Sequence, residues 1–158
     1  MMSAARTVLE EYVGSGKLMQ VATLARDGSP ELCNVWYGFR FSPDVLTFIS
    51  RHDRRHSVNI RNDGRVAGGI VAIDLDKLGQ PVRGVTFVGI ARELPNIGID
   101  TTIEEFIARW PASRDAIAPD KLADGTTPTR MYQIVVTEWV LFDEVNFPAQ
   151  PRQVIPAN

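Results

Sequence analysis

Apolar residues recur along this chain at two different spacings, and each change of spacing marks an element. In AARTVLEEYV (4–13), Val8, Leu9, Tyr12 and Val13 fall at the interval of one helical face, with Ser3 placed to cap the start and Gly14 to stop the helix. Strand-like runs follow. LMQVATLA (18–25) and ELCNVWYGFRF (31–41) flank Arg26-Asp27-Gly28-Ser29-Pro30, whose Asp-Gly pair favours a tight hairpin, and Ser42-Pro43-Asp44 turns the chain into VLTFIS (45–50). These runs predict a three-stranded meander. Beyond it, Asp53 is positioned to cap a helix that ends near Asn62-Asp63-Gly64. RVAGGIVAI (65–73) reads as a strand whose paired glycines imply a bulge or a close backbone approach. In RGVTFVGIAREL (83–94), Val85, Phe87, Gly89 and Ala91 alternate with Thr86, Val88, Ile90 and Arg92, which predicts a strand covered on part of both faces.

Helical spacing returns in TTIEEFIARW (101–110), where Ile103, Phe106, Ile107 and Trp110 share a face. Thr101 or Thr102 with Glu104 or Glu105 forms a capping-box pattern, and Pro111 ends the helix. A second short helix is expected near 113–122, so that about 101–122 forms a helical insertion. MYQIVVTEWVLFD (131–143) is a strand, and the Pro-rich tail (about 144–158) wraps or extends. Hairpin-joined strands with a few helices predict a mainly β fold: a six-stranded antiparallel barrel with peripheral helices, closed so that its apolar strands leave no open edge.

At 158 residues, 44% hydrophobic and 23% charged, the chain fits one domain, 1–158, without staples. It has no apolar run of transmembrane length, and its N-terminal stretch carries two glutamates where a secretory signal needs an apolar core. A soluble, cytoplasmic protein with no membrane partner is expected. Cys33 stands alone, which excludes an intrachain disulfide and a multi-cysteine zinc site. The net charge of −2 and pI near 5.7 argue against nucleic acid, because nucleic-acid binding domains usually pair a basic patch with a basic overall balance.

Basic charge is concentrated in SRHDRRHSVNIRND (50–63), which holds four arginines and both histidines. One reading is a solvated helix start. A metal site is suggested by His52 and His56 at i, i+4, but Arg54 and Arg55 would repel a dication and no third ligand is evident, so no metal is expected. An anion site fits the local order better: a strand ending at Ser50, a short loop, then a helix start whose free N–H groups and dipole favour a phosphate. Arginine adds planar charge-assisted hydrogen bonds, and the Ser50 hydroxyl adds another.

Taken in order, VATLARDGSPELCNVWYGF, LTFISRHDRRHSVNIRND, RVAGGI, RGVTFVG, ARWP and YQIVVTEWVLFD resemble the pyridoxamine 5'-phosphate oxidase-like, FMN-binding split-barrel superfamily. That resemblance implies a homodimer with flavin between the protomers. It places the phosphate on Ser50, Arg55 and His56, with Arg51 and Arg54 close by, and the ring along Asn34, Val35, Trp36 and Tyr37. Two departures stand out. His56 replaces the usual lysine of the basic pair, and Gly84 falls where the oxidases carry a flavin-contacting glutamine. No basic substrate motif matches DEVNFPAQPRQVIPAN, so vitamin B6 oxidase activity is not expected. The resemblance implies an FMN flavoprotein acting as an oxidoreductase on a small molecule, with an F420-dependent reductase, a non-catalytic flavin-binding or ligand-sensing protein and a haem-degrading relative as alternatives. Trp36 and Tyr37 equally suit barrel core or dimer contacts, Trp139 suits a structural role, and Arg83 and Arg92 suit solvent or a dimer interface.

Overall fold

The computed structural model describes residues 1–158. Its elements are α1 (Ala4–Ser15), β1 (Leu18–Leu24), β2 (Pro30–Trp36), β3 (Gly38–Arg40), β4 (Val45–Arg51), α2 (Arg55–Asn62), β5 (Arg65–Ile70), β6 (Arg83–Glu93), α3 (Asp100–Arg109), α4 (Arg114–Ile117), α5 (Pro119–Asp124), β7 (Thr129–Asp143) and β8 (Arg152–Pro156), with a 3₁₀ turn at Pro111–Ser113. The strands form one sheet in the order β2-β1-β5-β6-β7-β4-β3, with β8 on β7, and every pairing is antiparallel. β2 and β3 lie at opposite ends of this order, yet only Tyr37 separates them in the chain. The sheet therefore curls round on itself as a split barrel, with its seam between β2 and β4.

That seam corrects the expected meander, in which residues 31–41 form a single strand. Tyr37 takes the backbone out of the ladder: its carbonyl accepts from Arg109 Nε (2.9 Å) and Trp110 Nε1 (2.8 Å), and its ring is fully buried. With β8 contributed by the tail, the count becomes eight strands instead of six. β8 forms because Ile155 packs into the core and Asn158 is tied through its N–H (3.2 Å) and carbonyl (3.1 Å) to Asp44. β5 stops at Ile70 because the next amides leave the ladder; Ala72 N–H donates to the Tyr12 hydroxyl (2.7 Å), which itself donates to the Arg83 carbonyl (3.0 Å). The two glycines of β5 differ in role. A Cβ on Gly68 would collide with the Phe87 ring and the Gln20 carbonyl, so this is the close approach, while the bulge falls in β6 between Val88 and Gly89.

Other local expectations meet mixed fates. Ser3 caps α1 through Arg6 N–H (3.1 Å), but the helix overruns Gly14 to Ser15, where Arg109 takes up the Gly14 and Gly16 carbonyls. The first hairpin is built as expected around Asp27-Gly28, with Gly28 at φ 84° after a turn closed by its N–H to Ala25 O (2.9 Å). Asp53 does not cap α2: Arg54 occupies that position without a side-chain cap, and the Asp53 carboxylate is held by Arg51 at 3.1 Å. α3 starts at Asp100, which draws both threonines into the first turn, so the capping box does not form. The single helix expected at 113–122 is broken by Pro119, which holds Ala118 extended between α4 and α5.

The main core fills the barrel with Trp139, Tyr37, Tyr132, Phe48, Met19 and Leu46, among others. A smaller core of Leu94, Ile103, Phe106, Ile107, Ile117, Leu122 and Met131 fixes α3 to α5 against β7. Outside the barrel, α3 and the 3₁₀ turn stand over the seam.

Candidate functional site

Where β2 and β4 part, a cleft of about 520 Å³ opens beneath the end of α3. β2 contributes Asn34, Val35 and Trp36, and β4 contributes Ile49 and Ser50. The start of α2 supplies Arg54 and His56, and the opposite wall is Phe106, Trp110 and Pro111 to Ser113. Trp36, about half exposed, meets Trp110 edge-on with centroids 4.8 Å apart and planes at 72°. Trp110 is itself fixed by its bond to the Tyr37 carbonyl and by the Arg109 guanidinium over its ring. One end of the cleft is thus aromatic and apolar, and the other carries a hydroxyl, an imidazole and a guanidinium.

At the polar end, Ser50 Oγ and His56 Nε2 share a hydrogen bond of 2.7 Å. Burial, followed by the nearby Arg54 charge, holds the His56 pKa below its ordinary value, so the ring is neutral at pH 7. Ser57 Oγ donates to the Arg51 carbonyl (2.8 Å), pinning the strand end to the first turn of α2.

The four arginines of this stretch are used very differently. Arg51 chelates Asp53 through Nε and Nη2, and the pairing raises the Arg51 pKa and lowers that of Asp53. Arg55 turns outward to the Glu31 carboxylate and is largely exposed. Arg61 reaches Glu93 (2.6 Å) and the His52 carbonyl (2.6 Å). Arg54 alone has no carboxylate partner, and it lines the cleft. Of the residues singled out from sequence, Asn34, Val35, Trp36, Ser50, Arg54 and His56 come together here. Arg51 and Arg55 lie outside the lining in their ion pairs. Tyr37 lies in the core with its hydroxyl donating to the Val13 carbonyl, and burial pushes its pKa up to about 12.

His52 precedes α2 and is exposed, so the two imidazoles do not share a helical face. No group of three or more His, Cys, Asp or Glu side chains is placed to hold a metal ion. Sequence reasoning passed over Ile49, Phe106, Trp110 and the 3₁₀ turn as lining residues. The signal available was the Trp-Pro step in ARWP, an aromatic at a helix end that the following proline stops from turning further. A second cleft of about 490 Å³ lies between α3 and the β3-β4-β7 surface, but it is bridged by an Arg40–Glu105 ion pair (2.7 Å), and its remaining arginine, Arg109, is spent on the Gly14, Gly16 and Tyr37 carbonyls.

Solved structures share this architecture. A haem-binding protein from Mycobacterium smegmatis superposes with a TM-score of 0.79 at 15% identity over 99% of this chain, which spans 59% of that protein's length. A FAD-binding protein from Mesorhizobium loti gives 0.64 at 19% identity, covering 87% of this chain and 92% of its own. A protein of Clostridium acetobutylicum related to general stress protein 26, of the pyridoxinephosphate oxidase family, gives 0.65 at 12% identity over 95% and 92%. No family model and no curated protein matches the sequence. At these identities the likeness establishes the fold, a mainly β antiparallel split barrel of the pyridoxamine 5'-phosphate oxidase-like kind. No helix is long and apolar enough to cross a membrane.

Proposed function

We propose that the seam cleft binds a flavin nucleotide, FMN, and that the protein is a flavin-dependent oxidoreductase acting on a small molecule. The observation that carries the reading is the polarity of the cleft: Ser50, Arg54 and His56 converge at one end, and Val35, Trp36, Phe106 and Trp110 line the rest. A phosphate suits the first end, where the uncapped start of α2 adds its dipole and N–H groups to the Arg54 charge. An aromatic ring system suits the second. Two structural neighbours carry names that mention FAD and the pyridoxinephosphate oxidase family, which supports a flavin, while haem appears in the names of two others. When bound, the flavin would supply hydride or electron transfer, and this chain would supply orientation and exclusion of side reactions. A flavin-binding protein without catalysis is the companion reading. The visible spectrum of the purified protein tests the cofactor: flavin bands are expected, whereas a deazaflavin band would replace FMN by F420 and a Soret band would replace it by haem.

The cleft opens to solvent, and the protein is proposed to cover it as a homodimer. Support comes from the outer face of β6 and β7, where Val88, Ile90 and Val135 are roughly half exposed and Ile90 lies directly across from Val135. Ile90→Glu is expected to convert the dimer to a monomer in light scattering, with little change in circular dichroism. A wild-type chain that is monomeric at every concentration would remove the dimer from the account.

A further inference from the structure

Arg55 and Arg54 are neighbours at the start of α2, yet only Arg54 lines the cleft. The reason is Glu31 on β2. Its Oε1 takes the Arg55 Nη2, and its Oε2 accepts from Asn59 Nδ2 (3.2 Å), one turn further along the helix. Asn59 is buried and also donates to Thr23 Oγ1 (3.1 Å), a residue 1% exposed on β1. The carboxylate is thus held from two sides and keeps 23% side-chain exposure, whereas the Arg55 side chain that comes to it is 84% exposed. Arg55 is thus the solvent-exposed member of the pair, and Glu31 the one anchored by a second bond.

We propose that Glu31 is a built-in counter-anion that withholds Arg55 from the phosphate end of the cleft and sets how tightly a phosphate-bearing ligand binds. This rests on the flavin-phosphate reading above. The effect has one source: Arg55 must leave a carboxylate to reach a phosphate. With Asp53 holding Arg51 in the same way, the phosphate end keeps a single unpaired cation. The chain therefore binds its ligand more weakly than four clustered arginines would permit, which favours exchange of the ligand over permanent retention.

The experiment is equilibrium titration of the purified full chain with FMN and with riboflavin, which has the same ring but no phosphate. The proteins compared are wild type, Glu31→Gln, Arg55→Ala, the double variant and Arg54→Ala. Glutamine is nearly isosteric with the glutamate it replaces and retains an acceptor for Asn59, so the local fold is preserved. Glu31→Gln is expected to tighten FMN roughly 3- to 10-fold, the scale of a partly exposed charge interaction. Riboflavin affinity should stay constant, and the gain should vanish in the double variant. Arg55→Ala alone should change FMN binding less than twofold. If Glu31→Gln leaves FMN affinity unchanged, or tightens riboflavin equally, while Arg54→Ala still weakens FMN, the counter-anion role is overturned and the phosphate site stands. If neither flavin binds any of the proteins, the site reading falls and takes this inference with it.

Discussion

Asp44→Ala is expected to destabilise the protein by about 3–5 kcal/mol in urea unfolding at pH 7, the usual cost of stranding one member of a buried ion pair. Asp44 is 1% exposed and Arg6 4%. The Asp44 carboxylate accepts two bonds from the Arg6 guanidinium (2.7 and 2.5 Å), one from Trp139 Nε1 (2.7 Å) and one from Asn158 N–H (3.2 Å). A single side chain thus joins α1, the turn before β4, the centre of β7 and the tail, and its removal leaves the indole N–H and both terminal guanidinium nitrogens of Arg6 without acceptors, Glu10 holding only Arg6 Nε (2.7 Å). Burial pushes the Asp44 pKa up, but the bonds from Arg6, Trp139 and Asn158, together with the Arg6 charge, outweigh it and hold the pKa below the ordinary carboxylate value. The stabilisation is therefore complete above the unfolded pKa, near ~4, and is lost as pH falls through the lower folded one. Asp44→Asn should accordingly be less stable than wild type at neutral pH, and the gap should narrow in acid. A loss below about 1 kcal/mol at pH 7 would mean that the cluster contributes far less than its burial implies.

Arg54→Ala carries the second large effect. It removes the one unpaired cation of the cleft and should weaken FMN binding by about 1.5–3 kcal/mol, or roughly 10- to 150-fold, the range for a hydrogen bond to a charged group. Riboflavin binding should change little, because the proposed ring site is at the other end of the cleft, lined by Trp36 and Trp110. Equal losses for both flavins would point to a general disturbance of the cleft, and no loss for either would place the phosphate elsewhere.

What the sequence disclosed and what it withheld divide along the range of the forces involved. Ser3 as a cap, the Asp27-Gly28 hairpin and the apolar alternation of β6 are decided within a few residues, and all are present in the fold, but the cover expected on both faces of β6 is found on one, since Thr86, Val88, Ile90 and Arg92 are exposed. The break at Tyr37 depends on donors from Arg109 and Trp110, more than seventy residues away, so a continuous β-rich run gave no sign of it. The strand in the tail likewise depends on Asp44, which grips Asn158 across the chain. At the site, the strand-loop-helix order brought Ser50 and the basic cluster into view. Which arginine enters the cleft was not legible, because Glu31 and Asp53 decide it by pairing with Arg55 and Arg51. The aromatic wall was hidden for the same reason: Trp110 reads as the end of an amphipathic helix until α3 is packed over the seam.

The central claim is that the seam cleft holds FMN by its phosphate and its ring together. Titrating the purified protein with FMN while following tryptophan emission tests it most directly, since Trp36 and Trp110 stand in the cleft itself. The account predicts saturable quenching at one FMN per chain, with riboflavin binding more weakly by the phosphate's contribution. Absence of saturable binding, or equal affinity for FMN and riboflavin, would contradict it.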